Sequence, residues 1–194
     1  MFKCIAAVAT IGFSSFAWAQ ENSEVVHWAD VGNWSIFADR TLGNACYAVT
    51  VYESGIFLRA GFNGSGSGGD TYVAVGSLDW KSIEFGKEYD ITFQMDREAP
   101  WNGTATGAII GEVPFLVIYH DNYDFFEEFA RKLGIRIIYE GKQIANLSLR
   151  GSHAALMSMI ECQAVVNEYS TRPKEKDPFK EPSGNAVSGK DPFI

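Results

Sequence analysis

Between residues 34 and 149 the chain runs in short stretches of alternating apolar and polar side chains, parted by Gly, Asn, Asp or Pro. That rhythm commits it to a fold built on a sheet. Residues 45–52 put Tyr47, Val49 and Val51 on one face and Cys46, Ala48, Thr50 and Tyr52 on the other. Glu53-Ser54-Gly55 then turns the chain into a second stretch, 56–60, in the manner of a hairpin. Further strand patterns follow at 71–75, 88–95, 104–110 and 113–118, the last two separated by Gly111-Glu112. Tyr89, Ile91, Phe93 and Met95 mark one face of the pattern at 88–95. The expected core is an antiparallel meander, curved into a partly closed barrel or a sandwich.

Two segments carry helical spacing instead. In residues 123–133, Phe125, Phe126, Phe129 and Leu133 fall on one side, with Glu127 and Glu128 early and Arg131 and Lys132 late, matching the helix dipole. Asp121 or Asn122 suits the cap and Gly134 the stop. A hairpin over 135–149 comes next. A second helix then begins at Ser152 as N-cap and runs to about residue 165, with Ala155, Leu156, Met159, Ile160 and Gln163 along one side. The fold class is therefore α+β and mainly β, with two helices in the C-terminal third.

Residues 1–19 read as a secretory signal peptide. Lys3 precedes an apolar run, and Ala17-Trp18-Ala19 supplies the small residues of a cleavage site. The run is shorter than the roughly 20 residues that span a bilayer. Cys46 and Cys162 are the cysteines left after processing, and in an oxidising compartment an even count favours a disulfide. Closing so long a loop stabilises by roughly 4 to 5 kcal/mol under a chain-entropy description. The bridge would staple the second helix to the strand holding Cys46, and the location expected is periplasmic or secreted.

The formal charge of −8 argues against nucleic acid, whose phosphates need clustered Lys and Arg, and against an anionic membrane surface. No later apolar run is long enough to cross a bilayer. The chain divides into the signal peptide, an N-terminal segment at 20–30, one β-rich domain at 31–166 and a disordered tail at 167–194, where Pro, Lys, Glu, Ser and Gly accumulate. Within the tail Lys-Asp-Pro-Phe occurs twice, and Phe179 and Phe193 are candidate anchors for a partner groove.

Catalytic and metal constellations do not stand out, so no catalytic residue, metal ligand or cofactor is assigned. His27, His120 and His153 form no metal spacing. The glycine-rich run at 64–69 leads into a strand, not a helix, and so reads as a hairpin loop, not a phosphate cradle. Paired carboxylates such as Asp96 with Glu98, Asp121 with Asp124 and Glu127 with Glu128 suit a solvated face. Trp80 and Trp101 fall in loop-like contexts, where an indole either stacks on a ligand or plugs the end of a barrel. Both are candidate binding residues.

The opening Trp34-Ser35-Ile36, the mid-strand Cys46 and the closing Leu147-Ser148-Leu149-Arg150-Gly151-Ser152-His153-Ala154-Ala155 with Cys162 together resemble secreted proteins of the invasion-associated locus B type. The resemblance spans about residues 31–162 and implies a β-rich periplasmic protein without an assigned activity. The expected function is an exported, non-enzymatic binding protein whose partner is a protein or an envelope component. The alternatives are an envelope-acting hydrolase using His120 and nearby carboxylates, or an inhibitor or assembly factor for an exported enzyme or secretion machine.

Overall fold

The computed structural model describes residues 24–64, 70–120 and 124–171. Residues 1–19, expected to be a signal peptide, and Asp121, Phe179 and Phe193 therefore lie outside the described residues. Ten strands form one antiparallel sheet: β1 (Val25–Val31), β2 (Trp34–Asp39), β3 (Ala45–Val51), β4 (Ile56–Phe62), β5 (Thr71–Ser77), β6 (Glu88–Met95), β7 (Trp101–Ile110), β8 (Val113–His120), β9 (Gly134–Tyr139) and β10 (Lys142–Ser148). Helix α1 (Asp124–Arg131) precedes β9, and α2 (Ser152–Thr171) follows β10. No helix among the described residues is long and apolar enough to cross a membrane.

The spatial order is β1-β2-β3-β4-β5-β8-β7-β6-β9-β10, a meander broken at one place. There β5 pairs with β8 and not with β6. Residues 78–87 make the crossing, and the Glu84 carbonyl lies so close to Gly107 that a Cβ there would sit 2.2 Å from it. The sheet is open, with β1 and β10 at its edges. It curls nonetheless: Trp34 Nε1 donates to the Arg150 carbonyl at 3.2 Å, and the Tyr52 hydroxyl donates to the Ser148 carbonyl at 2.5 Å. Both bonds tie the early strands to the end of β10, and one core fills the enclosed space.

Strand alternation decides which side chains enter that core. Ile36, Ala48, Ala60, Val73 and Ile118 stand in one cross-strand row on the inner face and are all buried. The outer face carries its own row: His27, Phe37, Tyr47, Gly61, Tyr72 and Tyr119. Its centre is buried as well. Arg59, Tyr47 and Tyr72 are each less than a tenth exposed. Gly61 interrupts the aromatic row because a Cβ there would fall 2.7 Å from Tyr47 Cβ and 2.9 Å from the Tyr72 hydroxyl.

Cys46 and Cys162 form the disulfide, which joins β3 to α2 with their Cα atoms 6.1 Å apart. Beside it, the Cys46 backbone N–H donates to Gln163 Oε1 at 2.8 Å. Helix α2 lies against β1, β2 and β3. It is longer than its sequence pattern suggests and continues through residues 167–171, which composition assigns to the tail. Local bonds from Ser170 Oγ to the Val166 carbonyl and from Thr171 Oγ1 to the Glu168 carbonyl extend the ordered turns. At the other end Ser152 is the first helical residue, with Gly151 at φ 83° before it, and not the cap. The Ser152 hydroxyl is buried and has no hydrogen-bond partner among the described residues.

Candidate functional site: a groove between the two helices

Helix α1 is amphipathic in the ordinary sense. Phe126 and Phe129 are buried, while Arg131 and Glu127 pair on the solvent side at 2.8 Å. Its end is clamped from the β6–β7 connection. Asp96 Oδ1 accepts from the backbone N–H groups of Leu133 at 3.0 Å and Gly134 at 2.8 Å. Lys132 reaches Glu98 and, at 3.5 Å, Glu128. Three of the carboxylate positions noted in the sequence thus hold ion pairs on this surface, and a fourth, Asp96, holds backbone.

Helix α2 is different, because apolar residues occupy more than one of its faces. Ala155, Leu156, Met159 and Cys162 are buried against the sheet. Met157 and Ile160, 47% and 40% exposed, stand on the side toward α1. A groove of about 620 Å³ opens there, floored by Phe62, Phe126, Ala130, Leu156, Met157 and Ile160. Glu127, Arg131, His153 and Asn167 supply its polar rim. Its size falls in the range that holds a small ligand or one or two large side chains. The lining holds neither Cys nor Ser, so nucleophilic chemistry of that kind has no residue here. The chemistry on offer is burial of apolar surface, with charged and amide groups at the margin.

The residues singled out from the sequence go elsewhere. Trp80 is half-buried and packs on the core beside the crossing segment, its backbone N–H donating to the Ser77 carbonyl at 3.1 Å. Trp101 is not in a loop. It opens β7 opposite Phe93, with the two rings 4.8 Å apart, and also packs on the core. Both indoles are partly buried. His120 ends β8 with its ring centroid 6.4 Å from that of Trp101, and shares a shallow depression with Asn63, Asp70 and Tyr119. Asp70 is the one carboxylate lining that depression among the described residues. Asn63 N–H donates to the Asp70 carbonyl at 2.9 Å, and β4 pairs with β5 on either side of the glycine-rich run, whose residues 65–69 lie outside the described residues. His27 lies in β1, paired opposite Phe37 and 3.1 Å from Asp30. No group of three or more His, Cys, Asp or Glu residues among the described residues is placed to hold a metal ion.

The groove was not foreseen. Its signal is present in the sequence as Met157 and Ala164, which extend the apolar surface of α2 beyond the row that faces the sheet.

A buried polar cluster on the outer face completes the inventory. Arg59 Nη2 meets Asp39 Oδ2 at 3.1 Å, and Arg59 Nε donates to the Tyr72 hydroxyl. Burial pushes the Asp39 carboxyl up, but hydrogen bonds from Thr41 and Arg59 and the Arg59 charge outweigh it and hold it below the usual carboxylate range. Burial pushes the Tyr47 and Tyr72 phenols up despite the Arg59 charge beside them. Through Arg59 the ion pair, the hydrogen bond and the ring contact join side chains of β2, β3, β4 and β5.

No protein-family model matches the chain, and comparison with curated proteins gives no match. Among solved structures the fold is similar to invasion associated protein B from Bartonella henselae, with a TM-score of 0.51 and 12% identity. The similarity covers 72% of this chain and 99% of that one. At that identity the likeness is one of fold.

Proposed function

We propose that this protein is an exported binding module of the bacterial envelope and that the groove between α1 and α2 is its receiving surface. The observation that carries the reading is the solvent-open apolar floor at Met157 and Ile160, on a helix already fixed to the sheet by a disulfide. A cleft of this kind, apolar at its base and polar at its rim, suits a protein segment that presents a large apolar side chain. Export is supported by the leader pattern of residues 1–19 and by the disulfide itself. The name of the similar structure, invasion associated protein B, accords with a role outside the cytoplasm.

The test is site-specific capture from the native envelope. Tagged protein carrying Ile160→Lys or Met157→Lys is compared with the unaltered chain and with Phe85→Lys, a change at an apolar residue that is 81% exposed and does not line the groove. The unaltered chain and Phe85→Lys should recover the same partner, and the groove variants should lose it. Equal recovery by all four proteins would remove the groove from the account.

A further inference from the structure

We propose that residues 172–194 fold back along α2 and that Phe179 seats in the α1–α2 groove, so that the chain carries its own occupant for its binding surface. This rests on the reading of the groove as a receiving surface and adds how that surface is guarded. A helix with apolar residues on several faces is ordinarily covered on several faces. On α2, Met157 and Ile160 are covered by nothing among the described residues that brings them below 40% exposure.

The occupant is indicated by where the chain goes next. Asn167 lines the groove, and α2 ends at Thr171, so the following segment starts at the mouth of the groove. Phe179 lies eight residues beyond Thr171. An extended chain covers about 26 Å over that distance, whereas the return along the helix from Thr171 to Ile160 is about 17 Å. The reach is sufficient with slack for a turn at Pro173. Pro178 removes a backbone donor and biases Asp177 toward extended geometry, which suits a segment lying in a cleft.

Charge points the same way. Arg172, Lys174, Lys176 and Lys180 flank Phe179 and are interleaved with Glu175, Asp177 and Glu181, so residues 172–181 carry a net charge of +1 in a chain of −8. Glu127 on the groove rim is already paired with Arg131 at 2.8 Å, and helical spacing puts Glu161 and Glu168 on the rows of α2 next to the groove. Tethering raises the effective concentration of the segment at its site to roughly millimolar. A weak intrinsic affinity is then enough to keep the groove filled, and an external partner must displace it.

The experiment uses the purified full-length mature chain with no partner present. Phe179→p-benzoylphenylalanine supplies a photoreactive ring, and irradiated samples are mapped by mass spectrometry. The expected product is an intramolecular link from position 179 to α1 or to residues 153–167, in a yield that does not change on dilution. Adding Ile160→Lys or Met157→Lys should lower that yield roughly tenfold, the order expected for losing the burial of one phenyl ring. The same photoreactive residue at Val187 should not give the product. Links scattered over the sheet, or none at all, would overturn the proposal. Links found solely in covalent dimers would overturn it too, and would assign the groove to a second copy. Since no envelope extract is involved, the result is independent of whether a partner is captured.

Discussion

The Arg59 guanidinium stands over the Tyr47 ring, its central carbon 3.5 Å from the ring centroid. A cation at that distance from a phenol face, removed from water, draws on the ring quadrupole as well as on Asp39. The pair is expected to be a main support of the first half of the sheet. Arg59→Ala should lower stability by about 3 to 5 kcal/mol, because it strands the Asp39 carboxylate. Urea unfolding followed by tryptophan fluorescence gives the value. Lys87→Ala, which breaks a solvent-exposed pair with Glu84, should leave the midpoint in place. If the two variants unfold at the same urea concentration, Arg59 does not hold the sheet.

Gly61 is required for space. Gly61→Ala is expected to cost about 1 to 3 kcal/mol, since the new methyl group meets Tyr47 and Tyr72 at less than 3 Å. Gly103→Ala is the matched control. Its nearest neighbours would be Phe93 and Trp101 at 3.6 Å, ordinary contact distance. Thermal melts should separate the two variants clearly.

Acid should weaken the protein through Asp39. Its folded value is depressed below the ordinary 3.8, so its contribution is fully present above about pH 4 and is lost as pH falls through the folded value. Melting temperatures between pH 6 and pH 2 should therefore fall steeply at the acid end. The fall should be shallower in Asp39→Asn, which is less stable at pH 6 and has less to lose. Parallel curves for the two proteins would show that other carboxylates govern the acid limb.

The disulfide predicts both a thiol count and a stability. Mature protein should show no thiol open to alkylation in urea, and two after reduction. Replacing both cysteines by alanine should lower stability by roughly 4 kcal/mol through the looser unfolded chain. A mature chain that alkylates twice without reductant would contradict the bridge.

Much of this architecture is legible from residue spacing, for a physical reason. Alternation reports burial on one face, so Cys46 and Ala48 inside with Tyr47 opposite could be read directly from residues 45–52. Periodicity says nothing about which strand lies alongside, and so the β5–β8 pairing was not visible. Strand β1 escaped notice because its register shifts between His27 and Ala29, which breaks the alternation on which its detection depends. Nothing in residues 56–60 marks Arg59 as buried. Its partners Asp39, Tyr47 and Tyr72 come from three other strands, and a linear pattern cannot assemble them. Trp80 and Trp101 stand among turn residues, yet the curl of the sheet brings both onto the core. The groove is a property of two helices together, which neither displays alone.

The sulfur bond also determines how the molecule would bear a load. Tension applied at the outer ends of the described fold, on β1 and on the last turn of α2, enters at residues 46 and 162 and passes directly between them. Strands β4 to β10 and helix α1 all lie within the bypassed stretch, off the covalent path of the load. A protein pulled between two attachments would then yield at β1, β2 and the end of α2, while most of the sheet stayed folded.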